Sequence, residues 1–353
     1  MRVLQLGPYP PPHGGVQSNL VAIRSFLLKR NIPCAVINIT RHRKPDADEV
    51  YYPKTSLDLL RLLLRLDYDI IHLHLGGMLS DRLLSLSLVC CLIPNSKTVL
   101  TFHSGGYPSS PRGQKTTAAS FTGFVLRRFD KLIGVNPAIV EFFQKVGVPA
   151  ERTCLIYPHS FPGAASSDGR ASDLLPEKLA AFFASHSPIL ISVGLLEKEY
   201  DLPLQISVVD RVRQKFPNAG LLMIGSGSKE AELRDLIAAQ SYAAHLLLPG
   251  DVPYKATLQA IRQSDVMLRT TLYDGDAVSV REALYLGVPV IASDNGMRPP
   301  GVHLIPSSNL DALFEAIEQT LNTAPNEDSR TAPPDETNIE AVFRVYEELT
   351  NSA

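Results

Sequence analysis

The chain has 353 residues, 45% of them hydrophobic and 20% charged, with 34 lysines and arginines against 36 acids for a net charge of -2. At roughly 150 residues per domain that length suits two domains. The apolar content excludes a disordered chain, and the even charge balance lacks the basic excess that a nucleic-acid binder needs.

The opening segment, MRVLQLGPYPPPHGG, has no signal-peptide core or cleavage site and reads as a first strand over residues 3–6. A helix begins at Gly15, its apolar stripe carried by Val16, Leu20, Ile23 and Leu27. Strand-like runs follow at 35–39, 70–74, 98–102 and 132–135, with helices at 56–66 and 137–146 between them. The uncharged stretch 83–96 is too short to span a membrane, and 179–196 is broken by Ser185, His186, Ser187 and Pro188. Both read as core of a soluble or peripheral protein. The four cysteines, with Cys90 and Cys91 adjacent, form neither a disulfide framework nor a metal-ligand spacing and indicate a reducing cytosol.

Short apolar strands alternating with helices imply parallel sheets covered on both faces. The pattern breaks at 161–173, FPGAASSDGRASD, which reads as a linker. It resumes with strands at 189–193, 220–224, 244–247, 266–268 and 288–292, and helices at 204–216, 230–241, 254–263, 278–286 and 310–321. A polar, proline-bearing break at 324–336 precedes a last amphipathic helix at 339–349. The expected architecture is α/β: a Rossmann-like domain over 1–162, a linker over 163–186 and a second Rossmann-like domain over 187–325. Such sheets bind ligands at the carboxyl ends of their strands.

Gly14 and Gly15 stand between the first strand and its helix, where free N–H groups and the helix dipole favour an anion. An ordinary strand-to-helix turn is the alternative. Neither this loop nor Gly225-Ser226-Gly227 fits the dinucleotide fingerprint, since Glu230 occupies the third small position in the latter; a nicotinamide dehydrogenase is disfavoured. His103 follows a strand end, and His72 and His74 share one strand face, with His72 read as a core histidine. Residues 269–294 hold the densest chemistry. A strand delivers the acidic loop Asp274-Gly275-Asp276, and the following helix offers N–H groups at Ala277, Val278 and Ser279 to a phosphate. Glu282 lies about one turn inside that helix, and carboxylates suit vicinal hydroxyls because they accept several hydrogen bonds.

This segment resembles the signature of the retaining glycosyltransferases of family 4. The chain reads D-x7-E from Asp274 to Glu282, then A-L-Y-L-G-V-P-V-I-A, where the family has E-x7-E and A-x-x-x-G-x-P-V-I-A. The likeness extends to P-x-x-x-G-G at 10–15, D-I-I-H-L-H at 69–74, T-F-H at 101–103, G-V-N-P at 134–137, Leu195 to Lys198 after Gly194, and I-G-S-G-S-K-E-A-E-L at 224–233. The resemblance implies a GT-B fold, with two Rossmann-like domains facing a central cleft and the helix at 338–350 crossing back to the first. It implies transfer of a sugar from a UDP- or GDP-linked donor to a hydroxyl acceptor, with retention. Glu282 would hold the ribose hydroxyls; Asp274 and His103 would flank the donor sugar. Ala277 and Val278 N–H groups, Gly14, Gly15 and Lys198 would meet the diphosphate. No metal or other cofactor is implied.

Two departures stand out. Leu195 replaces the family arginine, and Glu199 the glycine after the lysine; Arg269 and Arg281 are the candidates to restore the charge. A catalytically degenerate scaffold subunit and a sugar-nucleotide epimerase or hydrolase therefore remain open. Asp274-Gly275-Asp276 also spells the D-x-D metal motif of the other main glycosyltransferase fold, but its place late in the chain and at a helix start disfavours metal. Arg41-His42-Arg43-Lys44, the Leu/Arg-rich helix at 57–66 and the segment 124–129 with Arg127-Arg128 allow peripheral docking on the inner face of an anionic membrane, with a lipid-linked glycan as acceptor. Ordinary half-buried helices are the competing reading.

Overall fold

Runs of fully buried valine, isoleucine and leucine form the strands, as expected where helices cover both faces of a sheet. The computed structural model describes residues 1–10, 14–40, 48–158, 175–272, 277–323 and 335–351. The chain divides into two units, Met1–Ser160 with Glu336–Ala353, and Phe161–Asp335.

In the first unit, β1 (Val3–Gly7), β2 (Cys34–Asn38), β3 (Val50–Tyr51), β4 (Ile70–Leu75), β5 (Lys97–Phe102), β6 (Lys131–Gly134) and β7 (Thr153–Leu155) form a parallel sheet. Its order is β3-β2-β1-β4-β5-β6-β7, so the winding reverses between β1 and β4. Around it lie α1 (Gly15–Lys29), α2 (Ser56–Arg65), α3 (Asp81–Cys91), α4 (Pro111–Lys115), α5 (Phe121–Leu126) and α6 (Pro137–Lys145). Thr55, Ser80, Ser110, Ser120 and Asn136 cap α2 to α6 with side-chain oxygens; α1 opens on Gly14, which offers none.

In the second unit α7 (Glu177–Ser185) precedes β8 (Ile189–Val193), followed by α8 (Leu202–Lys215), β9 (Gly220–Ile224), α9 (Glu230–Ala238), β10 (Leu246–Gly250), α10 (Tyr254–Gln263), β11 (Val266–Arg269), α11 (Val278–Tyr285), β12 (Val290–Ser293), β13 (Val302–Ile305) and α12 (Leu310–Asn322). This parallel sheet runs β10-β9-β8-β11-β12-β13, with its reversal between β8 and β11. Ligands of open α/β sheets bind at such reversals.

The last helix, α13 (Thr337–Asn351), belongs to the first unit. Its Ile339, Val342, Val345 and Tyr346 are buried with Val3, Ile23, Phe26, Ile70 and Val99. Phe343 meets the Phe26 ring at 5.9 Å.

Three sequence expectations change. Residues 177–185 of the expected linker form α7, whose Leu179 and Phe182 are buried in the second unit's core. The strand expected at 244–247 begins at Leu246, because Ala243–His245 closes a short 3-10 turn first. Val16 is only half-buried, and Asn19 and Phe26 join the buried face of α1 instead. Most of the segments read as breaks, 161–173 and 324–336, lie outside the described residues, as does Arg41-His42-Arg43-Lys44.

Candidate functional site

At the reversal of the first sheet, three histidines cluster. His72 and His74 lie on β4 and His103 directly after β5, where its N–H donates to Leu75 O at 2.7 Å. His72 is fully buried, Nε2 sitting 2.7 Å from Thr101 Oγ1 and Nδ1 2.5 Å from the Tyr346 hydroxyl of α13. It is a satisfied core histidine. His74, also fully buried, reaches Gln5 Oε1 through Nε2 at 2.9 Å and His103 Nε2 through Nδ1 at 3.4 Å. His103 itself is half-buried. Burial pushes His72 down to about 3 and His74 well below the usual imidazole range, and it lowers the half-buried His103 as well, so all three rings are neutral at pH 7. Gly14 and Gly15 stand at the uncapped start of α1, beyond the carboxyl end of β1.

The reversal of the second sheet gathers a different chemistry. Arg269 ends β11, only 5% exposed. Its Nη1 donates to Val193 O at 2.9 Å, and its guanidinium lies 4.6 Å from the centre of the Tyr200 ring. Ser279, in the first turn of α11, donates to the same carbonyl at 3.0 Å. A side chain at Gly194 would stand 2.6 Å from Arg269 Nη1, so this glycine makes room for the arginine. Arg298 donates to Ser293 O at 3.0 Å and to Thr271 O at 3.1 Å. Among the described residues the hydroxyls of Thr271 and Ser293 are buried without a hydrogen-bond partner, an arrangement that costs about 1–3 kcal/mol each.

Glu282 faces inward from α11, 3% exposed. Burial pushes its carboxyl up to about 7, against a hydrogen bond from Tyr254 Oη at 2.8 Å that pulls it down. That bond engages Oε1 and leaves Oε2 to a further donor. Ala277 precedes α11 as a cap without side-chain oxygen, so the first N–H groups of Val278 and Ser279 receive no capping bond. Lys198 is exposed in the turn Lys198–Tyr200 after β8, and Leu195 is 47% exposed. Arg281 is half-buried beside Glu282. Asp274, Gly275 and Asp276 lie outside the described residues.

Gly225-Ser226-Gly227 has a packing role. Gly225 adopts φ +144°, and a Cβ there would stand 1.8 Å from Gly194 O. The loops after β8 and β9 are thereby pressed together, and Glu197 fastens them by accepting from Ser228 N at 2.8 Å and Ser228 Oγ at 2.5 Å.

Little in the sequence points to Tyr254, Tyr200, Arg298 or Gln5. Tyr254 and Tyr200 carry no motif, and Gln5 hides in an apolar strand; the only signal for Arg298 is a lone cation near the end of β12.

These features define a two-unit α/β protein whose sheets both keep polar groups at their reversal points. Two family models match the chain: glycosyltransferase family 4 over residues 14–159 and glycosyl transferases group 1 over residues 178–331. The chain belongs to this glycosyltransferase family and has its GT-B fold. A phosphatidyl-myo-inositol mannosyltransferase of Mycobacterium tuberculosis is 25% identical over 243 residues, covering 69% of this chain and 59% of the relative. The match therefore spans about three-fifths of that curated relative's length. Among solved structures, Anabaena Alr3699/HepE in complex with UDP is 15% identical with TM-score 0.60, over 100% of this chain and 99% of that one. A Methanocaldococcus jannaschii UDP-GlcNAc 2-epimerase in complex with UDP-GlcNAc and UDP is 13% identical with TM-score 0.60, over 99% and 100%. At these identities the structures speak for the fold alone.

Proposed function

We propose that the chain transfers a sugar from a UDP- or GDP-linked donor to a hydroxyl acceptor, with retention of anomeric configuration. One observation supports this reading: Glu282, the acid that the family resemblance assigns to the ribose, is buried with one oxygen held by Tyr254 and the other available. In this reading Glu282 binds the ribose hydroxyls. The diphosphate is met by the N–H groups of Ala277, Val278 and Ser279, by Lys198, and by Arg269 in place of the charge that Leu195 lacks. Helix N–H groups and cations then do the work of a divalent ion. Asp274 flanks the sugar, and the departing diphosphate takes the acceptor's proton.

The acceptor we assign is a lipid-linked glycan or glycolipid, reached from the cytoplasmic face of a membrane. Support comes from the mannosyltransferase relative's name and from α2. There Leu57, Leu60 and Leu64 are 54%, 37% and 65% exposed on one helix face, beside Arg61, Arg65 and Lys54. An apolar stripe flanked by cations suits an anionic lipid surface. Arg127 is withdrawn from this role, because it is spent on the carbonyls of Ala118 and Val146 at 2.7 and 2.8 Å. Among the described residues no helix is long and apolar enough to cross a membrane.

Incubation with a panel of nucleotide-sugars, read by calorimetry and mass spectrometry, tests the reading. Transfer or slow donor hydrolysis supports it. Interconversion of the donor sugar would establish an epimerase, and absence of donor binding a scaffold subunit.

A further inference from the structure

The hydrogen bonds beneath His103 have a direction, and that direction can be read from their inner end. Leu20 O, a carbonyl of α1, can only accept, and it accepts from Gln5 Nε2 at 3.3 Å. The same amide nitrogen lies 3.2 Å from Cys34 Sγ, a thiol that burial pushes up to about 11 and so keeps protonated. The thiol can donate or accept, so it tolerates either orientation; the Leu20 carbonyl fixes the Gln5 amide with Oε1 toward His74. An oxygen can only accept there, so His74 Nε2 carries the proton across the 2.9 Å contact. In a neutral ring the other nitrogen is then bare, and His74 Nδ1 accepts from His103 Nε2 at 3.4 Å. His103 Nδ1 is left as a lone pair with no hydrogen-bond partner among the described residues. Gln5 and His74 are completely buried, while His103 at the end of the series is half-buried at the strand-end rim. His72 takes no part: its nitrogens are engaged by Thr101 and Tyr346.

We propose that Gln5 and His74 are positioning residues that hold His103 in the Nε2–H tautomer and present its Nδ1 at the strand-end rim as a standing hydrogen-bond acceptor. A bare Nδ1 repels phosphate oxygens and accepts from hydroxyls. Imidazoles are commonly fixed this way by the partner of their second nitrogen. Here the partner is itself an imidazole, fixed in turn by an amide.

The test is long-range proton–nitrogen correlation NMR on the full chain, labelled with nitrogen-15 at histidine, with His103 assigned by its loss in His103→Gln. At neutral pH both His74 and His103 are expected as single Nε2–H tautomers. His103 found with its proton on Nδ1, or cationic, overturns the proposal without recourse to any variant. Gln5→Met keeps the size of the side chain and removes the acceptor, so both rings should populate the second tautomer. Gln5→Glu restores an acceptor and should restore the single tautomer, although methionine suits the apolar surroundings better. Tautomers unchanged in Gln5→Met would reduce Gln5 to packing and overturn its positioning role.

Discussion

Tyr254 donates its phenolic hydrogen to Glu282 across 28 positions of sequence, from the first residue of α10 to the inner face of α11. Of the influences on that carboxyl, burial raises its proton affinity and the tyrosine lowers it. Tyr254→Phe should therefore push the Glu282 carboxyl further above 7 and leave less of the ionised form that ribose hydroxyls prefer. We expect UDP or GDP affinity at neutral pH to fall by up to about tenfold, the change in ionised fraction for one pKa unit. Calorimetric titration across neutral pH checks this; equal affinities in both proteins would leave Tyr254 a packing residue.

Glu282 also sets a slope of stability with pH. Its folded carboxyl titrates at about 7 against 4.5 for an ordinary glutamate, so the folded chain holds the proton more tightly than the unfolded one. The associated stability is complete below pH 4.5 and is lost as the pH rises through about 7. Glu282→Gln cannot ionise. Relative to wild type it should gain stability over that window, on the order of 3 kcal/mol at most, while binding ribonucleotides more weakly. Urea midpoints at several pH values, set beside UDP titrations, separate the two effects. A glutamate retained for structure alone would not show stability and affinity moving in opposite directions.

Arg269 and Lys198 should differ as diphosphate partners. Arg269 is buried, stacked and anchored to Val193 O, whereas Lys198 is exposed to solvent that screens its charge. Arg269→Met is expected to weaken UDP about 10–100-fold, with uridine affinity unchanged. Lys198→Ala should lose less than about tenfold. The ratio of UDP to uridine affinity is the deciding number, since general damage lowers both. A larger loss at Lys198 would return the principal role to the lysine that the family pattern indicates.

Docking on lipid is testable without a substrate. Leu60→Asp with Leu64→Asp places two charges on the exposed face of α2, away from the buried Leu63. Flotation with phosphatidylglycerol vesicles should be abolished and the melting temperature nearly unchanged. Unaltered flotation, or none in the wild type, would remove α2 from any membrane surface.

Transfer should survive excess chelator, because in the proposed site the diphosphate is held by helix N–H groups and cations. The product linkage, assigned by NMR, should keep the donor's anomeric configuration. Loss of transfer restored by manganese or magnesium would bring Asp274 and Asp276 back as metal ligands, and an inverted linkage would overturn retention.

Much of the architecture was legible because parallel strands buried on both faces are short apolar runs, as at 70–75 and 220–224. Elements without that signature escaped. β3 is two residues long, and β13 is an edge strand whose His303 and Leu304 face solvent. α7 hid behind a Ser/Gly/Pro-rich segment that made its surroundings read as linker. The place of Glu282 about one turn inside α11 was legible because helix starts carry a recognisable pattern. Arg269 was visible only as a candidate, since nothing in a sequence shows that Gly194, Val193 O and the Tyr200 ring converge on one guanidinium. Gln5 looked like an interruption of an apolar strand. Its meaning depends on His74 and Leu20, 69 and 15 positions away.

The placement of α13 bears on how the protein is made. Val3, Ile23 and Ile70 leave the ribosome early, yet they are covered by Ile339, Val342 and Tyr346, which are synthesised more than two hundred residues later. The hydroxyl that engages His72 arrives with the same helix. During translation the second unit has all of its strands and helices before the first has its final layer. The domain begun first is thus completed last, and its nascent apolar face must be sheltered, by chaperone or by transient collapse, until α13 emerges.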